Sequence, residues 1–205
     1  MIRAIFLDVD GTLISFSTHE IPASALRALA QAHERGVRLF IATGRAANDL
    51  GPLEGIPYDG VVSLNGARCV ANDGRVVSLH PIPRADFERA LALSEEQDFA
   101  MGLELEEGVF VNRVTPDVKR VAHMVAHPVP EQTDLRELFG RVECCQLCFY
   151  FDAETQRRVM AELPTLVASR WCPIFADVNV AGIDKATGME EFMRSYGFSA
   201  AEVAA

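Results

Sequence analysis

The chain has 205 residues, 49% of them apolar, and 29 acidic against 19 basic side chains leave a formal charge of −10. That is apolar material for one large domain or two small ones with real cores, and it excludes a disordered chain. The acidic excess, with no local Lys/Arg cluster, argues against nucleic acid or an anionic membrane as partner. The first apolar stretch is broken at Asp8 and Asp10, too early for a signal peptide, and no run reaches the ~18 residues of a membrane span. A cytoplasmic location is therefore expected.

Residues 2–7 form a short, almost continuous apolar run, the pattern of a parallel strand buried on both faces. A helix is predicted over 22–35, with Leu26, Leu29, Ala30 and His33 at helical spacing and Gly36 as its stop. Residues 37–42 and 60–64 are further buried strands, ending in Thr43-Gly44-Arg45 and Asn65-Gly66. Strand, helix, strand with short connections predicts a right-handed α/β sheet, whose ligands lie beyond the carboxyl ends of the strands. Asp8, Thr43 and Asn65 all stand at such ends.

From about residue 67 the pattern changes. Residues 69–70 and 76–79 flank Asn72-Asp73-Gly74, a hairpin turn. A helix is expected over 84–97, paired strands over 101–105 and 109–112, and helices over 133–139 and 155–163 around a strand at 142–151. A last strand covers 174–180. Antiparallel pairing with helices predicts an α+β domain inserted into the first. The expected organisation is a core segment at 1–80, the insert at 81–180 and a second core segment at 181–205, where a helix over 189–196 precedes Gly197. Five cysteines are an odd count for a disulfide scaffold, so reduced thiols are expected. Strand alternation would put Cys145 and Cys148 on opposite faces. With no matching His or Cys pair, the Cys144, Cys145, Cys148 cluster reads as packing, because structural zinc needs about four converging ligands. The five histidines show no metal spacing.

Asp8-Val9-Asp10-Gly11-Thr12-Leu13 carries the most chemistry. A bend just after the strand lets both carboxylates address one small volume, where one attacks and the other handles protons. Gly11 permits the sharp exit, and the buried strand holds the acids rigidly.

This hexapeptide resembles the first motif of the haloacid dehalogenase superfamily of phosphatases and phosphotransferases, a strand followed by D-x-D-G-T. Thr43 in Ala42-Thr43-Gly44-Arg45 is similar to the second motif, and Lys185 in Gly182-Ile183-Asp184-Lys185-Ala186-Thr187-Gly188 to the third. Ser63-Leu64-Asn65-Gly66-Ala67 is similar to a signature of the Cof-type branch. The resemblance implies an α/β fold: a Rossmann-type parallel sheet core with an α+β cap inserted between the second and third motifs. It also implies that Asp8 is the nucleophile of an aspartyl-phosphate intermediate and Asp10 the general acid, then base. Mg²⁺ would be held by the Asp8 carboxylate and the Asp10 backbone carbonyl. Thr43 and Gly44 would bind the phosphoryl group and Lys185 offset its charge, with Asn65 and Arg45 on the site loops. The implied substrate is a small phosphorylated metabolite such as a sugar phosphate. Two other readings stay open: a non-catalytic phosphate-binding or interaction module, and phosphoryl transfer to a second substrate instead of water.

The chain departs from the family at its fourth motif, an acidic G-D-x-x-N-D type strand end that supplies a further Mg²⁺ carboxylate. Glu190, Glu191 and Glu202 follow Lys185, and none stands after a buried strand. In the family's sheet order the first strand is central, so here 2–7 is expected as an edge and the core as incomplete at its C-terminal side. A bare apolar edge invites pairing, which predicts either a fragment of a longer protein or a partner segment that completes the sheet.

Overall fold

The computed structural model describes every residue except Phe16, His19 and Glu54, and of Pro52 the backbone alone. In chain order, β1 (Ala4–Leu7), α1 (Ala23–Glu34), β2 (Arg38–Ala42), β3 (Gly60–Ser63) and the hairpin β4 (Arg68–Ala71) and β5 (Val76–Leu79) come first. Next are α2 (Arg84–Glu96), β6 (Ala100–Leu105), β7 (Gly108–Val111), α3 (Pro116–Met124), β8 (Glu131–Gln132) and α4 (Leu135–Phe139). The chain continues through β9 (Gln146–Tyr150), α5 (Ala153–Ala161), β10 (Leu166–Cys172) and β11 (Phe175–Val180), then α6 (Lys185–Tyr196) and β12 (Val203–Ala204). Two compact units result: Met1–Leu79 with Ile183–Ala205, and His80–Gly182.

The first unit is a six-stranded sheet in the order β12-β1-β2-β3-β4-β5. Its first four strands run parallel, and the hairpin β4-β5 continues it antiparallel. The change of pattern at residue 67 is thus a change of strand direction within this sheet, because the turn Leu64–Gly66 lays β4 back on β3 and Asn72-Asp73-Gly74 then lays β5 on β4. Strand β2 shows why the parallel runs lack alternation. Leu39 and Ile41 join one apolar cluster with Leu29 of α1, whereas Phe40 and Ala42 join another with Phe192 of α6. Each face has its own cover, so every position from Leu39 to Ala42 is buried.

Helix α1 presents a different stripe from the expected one. Leu29 is buried and Ala25 and Ala32 are half-buried, but Leu26 and His33 are exposed. The inner face runs 25-29-32, an equally good helical spacing, and the sheet decides between the two.

The expectation of β1 as an edge is corrected. Val203 and Ala204 pair in parallel with Ala4 and Ile5, so β1 has a neighbour on both sides and the two-residue β12 is the outer strand. A capping box at Ser199 holds that strand in place. The Glu202 carboxylate accepts from the Ser199 amide at 3.0 Å and its hydroxyl at 2.7 Å, and pairs with Arg3 at 3.0 Å. The amide of Arg3 donates to the Glu202 carbonyl at 2.7 Å. The bond from the Ser199 amide, then its hydroxyl and Arg3, lower the Glu202 pKa from 4.5 to about 2. A depressed carboxylate stabilises the fold fully above its unfolded pKa and loses that contribution as pH falls through its folded one. Glu202→Gln is therefore expected to melt below the wild type at pH 6, with the gap closing between pH 4.5 and pH 2.

The second unit is a six-stranded sheet in the order β10-β11-β9-β6-β7-β8, antiparallel except between β7 and β8. Phe87, Ala90 and Leu91 of α2, Leu135 of α4 and Val159 of α5 cover one face over Met101, Leu103, Leu147 and Phe149. On the other face Val118 and Val121 of α3 pack with Val111, Tyr150 and Phe175.

Helix α3 and strand β10 lie outside the sequence expectation. The turn formers Thr115 and Pro116 do announce α3, since the Thr115 hydroxyl caps the Val118 amide at 3.3 Å. Its valines, ordinarily strand residues, obscure the signal. Strand β10 exposes Val167, Ser169 and Trp171 alternately, so its period is present but its exposed face is partly apolar. Among the cysteines, Cys144 and Cys145 precede β9, which begins only at Gln146, so strand alternation does not apply to Cys145. All five are buried and unbridged.

Candidate active site

Strand β1 delivers Asp8 to the carboxyl edge of the first sheet, and the chain then folds back on itself. The Ile14 and Thr12 amides donate to the Val9 carbonyl at 2.9 and 3.4 Å, and the Gly11 amide to the Ile14 carbonyl at 2.9 Å. Gly11 has φ +80°, a conformation open to glycine at little cost. Val9 is fully buried and anchors this turn in the core, while Asp8 and Asp10 on either side of it remain accessible.

Asp8 meets a residue 177 positions away. Lys185 Nζ lies 2.5 Å from Asp8 Oδ1, with each side chain a little over one-third exposed. The other oxygen, Oδ2, accepts from the Thr12 hydroxyl at 3.3 Å. Lys185 is the first residue of α6, and Asp184 caps that helix by accepting from the Thr187 amide at 2.8 Å. The helix N-terminus adds partial positive charge beside the ammonium group.

Asp10 is held by a different cation. Arg45 forks onto it, Nε to Oδ2 at 3.0 Å and Nη2 to Oδ1 at 2.7 Å, and reaches Asp49 Oδ2 at 3.6 Å with Nη1. Its bond to Asp10 raises the Arg45 pKa above the usual guanidinium value. Thr43 is buried at the end of β2, where its hydroxyl accepts from the Arg45 amide at 3.1 Å. The Asn65 amide donates to the Thr43 carbonyl at 3.0 Å and the Leu64 amide to the Arg45 carbonyl at 3.1 Å. The loops after β2 and β3 are thereby zipped together.

The structure thus makes three groups of the predicted residues: Asp8 with Lys185, Asp10 with Arg45, and Thr43 and Gly44 with Asn65. Sequence reasoning had no contact role for Thr12, Asp49 or Asp184. Thr12 is part of D-x-D-G-T, and Asp184 three residues before Thr187 has the form of a helix cap, so two of the three left a signal.

A second polar cluster belongs to the other unit. Ligand atoms of Glu104, Cys148 and Asp177 lie within 4.8 Å of one another, and Gln146 Nε2 donates to Glu104 at 2.7 Å and Asp177 at 3.2 Å. Burial pushes the Cys148 thiol well above its ordinary pKa, and Cys144 up to about 12. Both therefore pack as neutral thiols at pH 7.

A family model described as haloacid dehalogenase-like hydrolase matches residues 5–205. The chain belongs to the haloacid dehalogenase-like hydrolases. Among solved structures it is similar to BT1666 from Bacteroides thetaiotaomicron, studied among the phosphatases of this superfamily. The two are 53% identical with a TM-score of 0.95, over 100% of this chain and 76% of that one. The subclass IIB sugar phosphatase BT4131 is 30% identical with a TM-score of 0.87, over 98% of this chain and 79% of the other. YkrA of Bacillus subtilis strain 168, whose name assigns it provisionally to the phosphatases, is 25% identical over 202 residues. That match covers 96% of this chain and 75% of YkrA. Within the haloacid dehalogenase-like hydrolases the chain falls in the Cof-type phosphatase branch and is a phosphomonoester hydrolase. Enzymes of this superfamily transfer phosphoryl groups, in general with a divalent metal. No helix among the described residues is long and apolar enough to cross a membrane.

Proposed function

We propose that the chain carries the core of a Mg²⁺-dependent phosphatase that hydrolyses a small phosphorylated metabolite through an aspartyl-phosphate on Asp8. The observation that carries this reading is the Asp8–Lys185 contact, which puts a carboxylate and an ammonium group together in one solvent-accessible place. Asp8 supplies the attacking carboxylate oxygen, and Lys185 beside it offsets phosphoryl charge as it moves.

The oxygens of Asp8 and the Asp10 backbone carbonyl form an all-oxygen donor set suited to a hard divalent cation, and these residues would hold it. When bound, Mg²⁺ supplies the positive charge that lets a phosphate dianion approach a carboxylate. In the first step an Asp8 oxygen bonds to phosphorus, the bond to the leaving oxygen breaks, and Asp10 gives that oxygen its proton. In the second, Asp10 as carboxylate takes a proton from the water that attacks phosphorus, releasing orthophosphate and free Asp8. The Thr43 hydroxyl, which accepts from Arg45, keeps its own proton to donate to the phosphoryl group together with the Gly44 amide. Both Asp10 oxygens accept from Arg45 in the observed state, so the proton-donating state requires that fork to open.

The substrate reading is a sugar phosphate or a similar polyol ester. It is supported by the similarity to a sugar phosphatase. Five unbridged thiols fit a reducing, cytoplasmic compartment.

The test is hydrolysis of an aryl and an alkyl phosphate with and without a chelator. Chelation is expected to abolish turnover of both, and Mg²⁺ to restore it. Asp10→Asn is expected to slow the alkyl ester by roughly 10²–10⁴-fold and the aryl ester by less, because an aryl oxide leaves without help from an acid. Equal losses for the two esters would refute Asp10 as the proton donor, and saturable binding without turnover would favour a phosphate-binding module.

A further inference from the structure

The turn Leu64–Gly66 reverses the chain between β3 and β4, and its backbone is held in an uncommon conformation. Leu64, Asn65 and Gly66 all have positive φ, at 49°, 55° and 97°, so two side-chain-bearing residues in succession occupy the left-handed region. Such conformations are costly and persist only where the surroundings hold them. Here the surroundings are the two site loops. On one side the Leu64 and Asn65 amides bond to Arg45 and Thr43, and Asn65 lies over Gly44, where an added Cβ would come 3.0 Å from Asn65 Oδ1. On the other side Gly66 lies flat against the start of α6. A Cβ on Gly66 would fall 1.9 Å from the Asp184 carbonyl oxygen and 3.1 Å from the Lys185 amide. Gly188 on the next turn of α6 continues the contact, with Gly66 Cα 3.2 Å from its missing Cβ.

We propose that this left-handed turn is a positioning strut: it spaces the Thr43–Gly44 loop from the first turn of α6 and thereby sets Lys185 against Asp8. Gly66 and Asn65 are positioning residues in it. Gly66 lets the helix approach, and Asn65 braces the loop. The inference rests on the reading of Asp8, Thr43 and Lys185 as one site, but the strut is a statement about geometry and is tested without turnover.

Lys119 and Lys185 are the only lysines in the sequence, and Lys119 is exposed in the other unit. A chain labelled with ¹⁵N-lysine therefore gives two side-chain ammonium signals, one at the site and one internal reference. At fixed pH and without metal, Asp8→Asn is expected to shift the Lys185 signal, which assigns the contact. Gly66→Ala is expected to shift it as well, and to lower kcat for an aryl phosphate about 100-fold, the scale of a roughly 1 Å misplacement. Gly74→Ala is the matched control. Its φ is +85° with open space around it, so it carries the same backbone strain without the collision, and its Lys185 signal is expected at the wild-type position. A folded Gly66→Ala chain whose Lys185 signal has not moved would overturn the proposal. Asn65→Gly keeps the left-handed conformation at little cost and removes the brace. It is expected to move the Lys185 signal, and an unmoved signal there would overturn the strut even if Gly66→Ala does not fold. If the phosphatase reading fails instead, the signals still move but no variant or wild type hydrolyses the ester.

Discussion

Asp8→Asn is expected to reduce phosphatase turnover by about 10⁴-fold or more, the scale on which removal of one member of a nucleophilic set acts. An amide is a far poorer nucleophile than a carboxylate and cannot accept the phosphoryl group as a stable mixed anhydride. The substitution keeps the volume of the side chain and leaves Thr12 a carbonyl oxygen to donate to. The ion pair it removes is more than one-third exposed on both sides, and such a pair contributes at most about 1 kcal/mol. The variant is therefore expected to fold and melt close to the wild type, so that lost turnover reports chemistry. Acid quenching during turnover of a ³²P-labelled ester should leave label on the wild-type chain and none on Asp8→Asn. Metal-dependent turnover that survives in the variant would refute the assignment.

Phe192→Ala is expected to have the largest effect on stability. Phe192 is fully buried on the inner face of α6, its ring 4.7 Å from Phe40 and 6.1 Å from Tyr196. Phe40 stacks in turn on Phe6 at 4.9 Å, so one aromatic column ties α6 to β1 and β2. Gly60 at the start of β3 makes room for it, since a Cβ there would lie 2.7 Å from the Phe192 ring. Truncation removes a large apolar surface and leaves a cavity that close neighbours cannot collapse into. The cost is about 3–5 kcal/mol, and thermal melting should fall by roughly 10 °C. Trp171→Ala, at a half-exposed position in the other unit, should change stability by less than about 0.5 kcal/mol. A loosened α6 also carries Lys185 at its start, so Phe192→Ala should lower activity as well as stability. Full activity in a destabilised variant would show that the first turn of α6 is held by its own contacts alone.

Much of this arrangement is legible in the residues because it is local. Two-sided burial writes the apolar run 39–42 into β2, and the turn chemistry of Asn72-Asp73-Gly74 marks the β4-β5 hairpin. Asp8, Thr43 and Asn65 are found by asking which polar residues follow a buried strand. Elements whose composition and surroundings disagree are harder to read. Helix α3 is rich in valine yet helical, because Thr115 and Pro116 start it and its stripe has a sheet face to cover. Strand β10 leaves Trp171 and Val167 in solvent, so alternation of apolar and polar residues does not mark it.

The sequence by itself determined most strands and helices, all but α3, β8, β10 and β12, with the residues at the strand ends and the Asp8–Asp10 spacing, because these follow from backbone periodicity and the conformations that single residues allow. Only the tertiary structure decided that Lys185 meets Asp8, that Arg45 takes Asp10, that the 25-29-32 face of α1 turns inward and that β12 covers β1. Those pairings join residues far apart in the chain, and their partners are selected by shape and charge once the sheet has brought the loops together. Gly66 shows the difference within one residue: its turn is written in the sequence, but the 1.9 Å clearance that demands a glycine exists only when α6 has docked.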